Sequence, residues 1–140
     1  MQALDLHEAA QEGNRDALVQ ALAHNDVNAV DVTLHNRTAL HWAATTGNVA
    51  CVRILLQAGA NVRAAQSNNG WLPIHAAAEA DEPDVIRELV RADPGLALAI
   101  DRHGDTPLDV AQRFGHADSV HALREAINAS QASGSTAFSS

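Results

Sequence analysis

A chain of 140 residues that is 46% hydrophobic yet only 3% aromatic, with no tyrosine, must build its core from Ala, Leu, Val and Ile, which suits closely packed helices. Its formal net charge of −8 is the reverse of the clustered cation that nucleic-acid binding needs. No apolar run is long enough to span a bilayer, the first residues show no leader pattern, and one cysteine excludes an internal disulfide; the expectation is a soluble cytoplasmic or nuclear monomer with no nucleic-acid or membrane partner.

In chain order the first element is LDLHEAAQEGN, residues 4–14. It returns 34 residues later as TALHWAATTGN, then as LPIHAAAEADE, then as TPLDVAQRFGH. The positions His7, His41, His75 and Asp109 keep that spacing throughout, as do Ala9, Ala43, Ala77 and Ala111. Self-similarity at such a period is the mark of a stacked solenoid, each unit lacking the means to bury its apolar faces alone. One copy could be a reactive site. Four in register are architecture.

Within residues 37–70, Thr38 is placed to cap a first helix, whose Leu40, Ala43 and Ala44 share one small face. Gly47 ends that helix. Asn48 caps a second, with Cys51, Val52, Leu55 and Leu56 as its apolar stripe. The matching stripes are Ala17, Leu18, Ala21 and Leu22 before it, and Val85, Ile86, Leu89 and Val90 after it. The chain then leaves through Gly59 and turns at Asn69-Gly70, a hairpin signal. The predicted units are residues 3–36, 37–70, 71–104 and 105–127, each helix, turn, helix and extended hairpin. The Ser-rich residues 128–140 are expected to be disordered.

These motifs resemble the ankyrin repeat, through TALHWAA, Gly47, VRILL and GANVRA in the second unit and TPLDVA with Gly115 in the fourth. The resemblance implies an all-α ankyrin-repeat solenoid of four units. The chain departs from the pattern at Leu72, which replaces a capping Thr, and at Asp81, which stands where Gly is usual. Asp tolerates the left-handed backbone better than most residues, and Pro83 suits a first helical turn. The stretch NAVDVTLHN is longer than the family's hairpin. Gln20, Asp109 and Arg124 put polar groups at the ends, as terminal repeats require.

Candidate chemistry fares poorly beside scaffold readings. Packed helices lie roughly 8–10 Å apart, whereas a zinc ion sits about 2.0–2.1 Å from each nitrogen ligand. Histidines on successive units are thus too distant to share a metal. The resemblance implies instead that they tie helix starts to hairpin backbone. Cys51 falls on an apolar stripe, where a thiol is inert. Glu79, Asp81, Glu82 and Asp84 flank a helix start and read as solvated surface. No phosphate loop or nucleophile elbow is present. The expectation is a chain that is not an enzyme and takes no metal or cofactor.

What remains is recognition of a protein partner. The resemblance places contact positions on a concave face of hairpins and first helices: Arg37, Trp42, Thr45, Thr46, Trp71, Glu79, His103, Asp105, Arg113 and Phe114. Trp71, following Gly70 at a hairpin tip, is the foremost candidate; the alternative is a ring lying flat on the neighbouring unit. Trp42 reads mainly as packing that borders the surface. The resemblance also raises hydroxylation of Asn28 in DVNA, against the plainer reading that Asn28 caps its hairpin. Finally, all nine basic residues are arginine. A GC-rich genome would account for that; so would selection against ubiquitin acceptor sites in an adaptor of a ubiquitin ligase or assembly complex. A stoichiometric inhibitor or regulatory subunit of an enzyme is the other specific expectation.

Overall fold

The computed structural model describes residues 5–138, with side chains described through residue 130. Its helices are α1 (Leu6–Glu12), α2 (Arg15–Leu22), α3 (Ala39–Thr46), α4 (Val49–Gln57), α5 (Pro73–Glu79), α6 (Pro83–Ala92), α7 (Pro107–Arg113) and α8 (Ala117–Phe138). They form four antiparallel-type pairs: α1 with α2, α3 with α4, α5 with α6, α7 with α8. First helices pack in one row, α1 on α3 on α5 on α7; second helices pack in another, α2 on α4 on α6 on α8. The architecture is an all-α solenoid.

Caps set the boundaries. The side chains of Asp5, Asn14, Thr38, Asn48 and Thr106 each accept a backbone N–H from the first turn of the helix that follows. Leu72 has no acceptor, so α5 starts without a side-chain cap. Pro73 at its first position and the Leu72 N–H donated to His75 Nδ1 at 3.2 Å hold that start instead. The left-handed corner falls at Gly13, Gly47, Asp81 and Gly115, with φ of 58° at Asp81. Asp81 is steadied there by the Ser119 hydroxyl, which donates to its Oδ1 at 2.8 Å.

The core follows from the small first-helix face. Ala9, Ala43, Ala77 and Ala111 are fully buried, so adjacent backbones approach closely, while Leu18, Val52, Leu55, Ile86, Leu89 and Leu123 fill the space between the rows. Cys51 is buried with them, and burial pushes its thiol pKa up. The polar ends are where the repeat logic wants them: Gln20, Asp109 and Arg124 are exposed. Asp109 has a second duty. Its Oδ2 accepts the Thr106 N–H at 2.9 Å, closing a reciprocal cap.

Three features depart from the sequence reading. The hairpins form turns with only one isolated bridge among the described residues, Asp31 with Arg37, rather than extended arms. The long first connector coils into a 3-10 turn at Val32–Leu34, and a second such turn at Pro94–Leu98 buries Leu96 and Ala97. Lastly, α8 continues to Phe138, so the described backbone of residues 128–138 is helical where composition predicts disorder. A helix already nucleated by packed residues extends by propagation alone, which Ala-containing sequence permits. Ser139 and Ser140 lie outside the described residues.

Imidazoles join the units. His41 Nδ1 accepts the Thr38 backbone N–H at 3.1 Å, and its Nε2–H donates to the Trp71 carbonyl of the next unit at 2.9 Å. His75 repeats this, accepting from Leu72 and donating to Asp105 at 3.0 Å. In the first unit the longer connector shifts the acceptor, and His7 Nε2 reaches Ala29 at 2.9 Å. Each of these rings is therefore committed to the scaffold.

His41 is 1% exposed, and burial drives its pKa from the usual 6.5 down to about 4, with the neighbouring Arg37 charge adding to the effect. His75 moves in the same direction, again through burial. The unfolded imidazole binds a proton that the folded one refuses. The resulting stability is complete above the unfolded value and drains away as pH falls from about 6.5 to about 4, with His41 alone accounting for on the order of 3 kcal/mol. Urea unfolding at about pH 7 and about pH 5 checks this: the midpoint should fall steeply in the wild type and much less in His41→Gln.

Candidate recognition surface

The proposed contact residues lie on two strips, the hairpins and the C-terminal ends of the first helices. Thr45 and Thr46 are exposed at the end of α3, their hydroxyls donating back to the His41 and Ala43 carbonyls, each at 3.0 Å. Glu79 is exposed at the end of α5. Its carbonyl receives the His116 Nε2–H at 2.9 Å. Phe114 is 49% exposed and stacks on His116, the ring centroids 6.1 Å apart. These four side chains are exposed at the surface.

The hairpin strip is more mixed. His103 is exposed, with its N–H donating to Asp101 Oδ1 at 2.8 Å. Asp105 and Arg113 are spent on each other, in an ion pair of 2.7 Å. An exposed pair of this kind is worth little to stability, but it blunts both charges as contact groups.

Trp71 is the plainest case of a candidate absorbed by the scaffold. Its ring is half-buried against the core, and its Nε1–H donates to Asp101 Oδ2 at 3.0 Å. Asp101 is only 7% exposed. Its Oδ1 accepts the His103 and Asp105 backbone N–H groups at 2.8 and 2.9 Å. Burial works to raise the Asp101 pKa, yet these backbone donors and the indole hold the carboxylate below its ordinary value. Trp71 thus ties the start of its unit to the turn at the unit's end. Sequence reasoning passed over Asp101, although Asp-Arg-His-Gly carries the signature of a turn whose Asp bonds its own backbone.

Trp42 is the opposite case. The Arg37 guanidinium lies over its ring, the carbon 4.8 Å from the centroid. The Trp42 Nε1 and the Arg37 Nε are both buried without a hydrogen-bond partner. Buried polar groups almost always find partners, so two orphaned donors on adjoining side chains stand out. The surrounding connector is unusual as well: His35 and Asn36 both have φ of 60°, while Val32 and Leu34 are 78% and 40% exposed. The alternation in VDVTL was the available signal for these apolar tips.

Asn28, also singled out by the sequence, joins two hairpins. Its Oδ1 accepts the Asn61 backbone N–H at 2.6 Å, and its Nδ2 donates to the Gly59 carbonyl at 3.5 Å. Asn48 does the same at the opposite edge, donating to the Gly13 carbonyl at 3.0 Å.

The two tryptophans should respond differently to loss of the indole N–H. Trp71→Phe strips a donor from a buried carboxylate and should cost about 1.5–3 kcal/mol, the range for hydrogen bonds to charged groups. Trp42→Phe removes a donor with no partner and should cost distinctly less. Urea unfolding of both variants beside the wild type decides the matter, and equal losses would contradict this assignment.

Comparison with known proteins agrees with this geometry. A family model described as "Ankyrin repeats (3 copies)" matches residues 6–97 and again residues 63–133. Mouse (Mus musculus) "Protein phosphatase 1 regulatory subunit 27" is 36% identical over 72 residues, covering 51% of this chain and 46% of that protein. The "Notch-regulated ankyrin repeat-containing protein" of Xenopus tropicalis is 30% identical over 86 residues, 59% of this chain and 75% of that one. The "E3 ubiquitin-protein ligase KEG" of Arabidopsis thaliana is 31% identical over 114 residues, 78% of this chain but 7% of the ligase. The chain therefore spans less than half of the mouse subunit's length and a small part of the ligase's. Among the described residues no helix is long and apolar enough to cross a membrane. With four stacked helix pairs, imidazoles joining the second to the third and the third to the fourth, and family matches that together span residues 6–133, the chain belongs to the ankyrin-repeat family.

Proposed function

We propose that this protein is a non-catalytic binding module whose hairpin and first-helix face receives a protein partner. Ankyrin repeats are protein–protein interaction modules, and the exposed row Thr45, Thr46, Glu79 and Phe114 is the observation that carries the reading to this face. Those side chains project from helix ends while every buried position serves the stack. The histidines and the cysteine that could have suggested chemistry are committed elsewhere: His7, His41 and His75 to backbone carbonyls, Cys51 to the core.

Two forms of this function have separate support. A regulatory subunit, acting on an enzyme through a one-to-one complex, is favoured by the likeness to a protein named as a phosphatase regulatory subunit. An adaptor beside a ubiquitin ligase is favoured by the absence of lysine from the chain and by the likeness to a region of a ligase. The regulatory reading rests on a larger share of the relative and is preferred.

The absence of lysine supplies the test. A single lysine introduced as Thr45→Lys on α3, or as Gln57→Lys at the exposed end of α4, gives one new site for an amine-reactive cross-linker. In extract from the native cell, Thr45→Lys should yield a partner cross-link above the wild-type background, and Gln57→Lys should not. The reverse pattern would move recognition to the second helices. Turnover of the two variants in the same cells separates the forms: the adaptor form predicts that either added lysine shortens the lifetime, the regulatory form that neither does.

A further inference from the structure

We propose that Arg37, stacked on Trp42, is the anchor for a carboxylate: an Asp or Glu side chain that a partner protein presents to the first hairpin. The inference rests on the reading of that face as a recognition surface and names the chemistry recognised there.

The charge pattern makes Arg37 conspicuous. The chain has 17 acidic residues against nine arginines, nearly two carboxylates for each cation. Arg53, Arg63, Arg87, Arg91 and Arg113 each pair with one. Arg102 donates to the Ser67 carbonyl at 2.7 Å. Arg15 and Arg124 make no such bond among the described residues, but both are exposed. Arg37 alone among the described arginines is half-buried and has neither an ion pair nor a side-chain hydrogen bond.

The geometry says which part of the guanidinium is on offer. Its Nε is turned inward and buried, whereas its two Nη atoms reach the surface, since neither is bonded and neither is among the buried orphans. The indole below fixes the plane, at a separation well inside the roughly 6 Å range of a cation–π contact. Trp42 holds this position at the expense of its own N–H, whereas Trp71 satisfies its N–H on Asp101. A planar fork held rigid before binding loses little freedom when a carboxylate bridges its two Nη groups.

A carboxylate fits better than a phosphate group. The chain's formal charge of −8 opposes a dianion more strongly than a singly charged carboxylate. The neighbouring surface adds a further requirement. Leu34 accepts the Arg37 backbone N–H through its carbonyl at 3.3 Å, and its side chain and that of Val32 are exposed. The segment recognised should therefore carry its acidic residue next to an apolar one.

The test uses the full chain and a displayed library of random linear peptides, selected for binding and then synthesised singly. The best peptide should contain Asp or Glu, and changing that residue to Asn or Gln should weaken binding at least about tenfold, as loss of an interface anchor does. Arg37→Gln should weaken the parent peptide equally, and against this variant the peptide change should have no further effect. Arg37→Lys, which keeps the charge but not the fork, should recover little. Thermal unfolding of each variant checks that the fold is kept, and Gln57→Glu, at the exposed end of α4, serves as a folded surface control.

Peptides that bind this face without a carboxylate, or whose carboxylate loss adds to that of Arg37→Gln, would overturn the anchor while leaving the face intact. Displacement by inorganic phosphate in millimolar excess would overturn the choice of carboxylate. Amide shifts confined to α4 and α6 on peptide addition would overturn the anchor and the face together. Failure to enrich any peptide would also count against the anchor.

Discussion

The hydrogen bond from a buried imidazole to the carbonyl of the next unit is the constraint on which the stack depends. His41 reaches Trp71, and His75 reaches Asp105, each over the same interval. On its other side the ring accepts the N–H of the residue that precedes its own helix. One side chain thereby fixes where a helix begins and where the following hairpin lies. This works only for a neutral ring carrying its proton on Nε2, and burial enforces the neutral state. Among the described residues no hairpin follows the last helix pair, and there Asp109 performs the local half of the task.

From that constraint the hairpins inherit both their positions and their liberty. Arg37, Trp71 and Asp105 occupy equivalent places, each ending a turn closed by a backbone N–H from Asp31, Gln66 or Asp101. The turns close over a shorter span each time, so the tips differ although their ends are held in register. Neighbouring tips bond directly, Ser67 N–H to His35 carbonyl at 2.8 Å and Arg102 N–H to Asn69 carbonyl at 3.0 Å. Gly70 permits the second of these contacts. Its φ is 73°, and a Cβ there would stand 2.8 Å from the Arg102 nitrogen. The turns thus differ at their tips while the rows beneath keep their register.

Much of this was legible from spacing. The 34-residue period, the small Ala face, the Asn and Thr caps and the left-handed Asp81 all follow from residue types whose backbone demands are local. The contact surface was less legible because it depends on which side chains meet across units. Trp71 looked exposed from its place after Gly70; only the Asp101 carboxylate, 30 residues on, shows what holds the ring half-buried. Trp42 looked like packing, and its N–H is unmet beneath Arg37. Likewise the helical residues 128–138 continue a helix whose nucleus lies in α8's packed first turns, information that composition of the segment alone does not contain.

The central claim, that neutral imidazoles protonated on Nε2 join the units, is open to direct observation by nitrogen-15 NMR of the histidine rings. Across a titration from about pH 7 to about pH 5, where a free ring would charge, His41 should keep a protonated Nε2 and an unprotonated Nδ1. Its Nε2–H should exchange slowly and show a through-bond coupling to the Trp71 carbonyl carbon. A His41 ring with the proton on Nδ1, or one that charges near the ordinary value while the protein stays folded, would contradict the account.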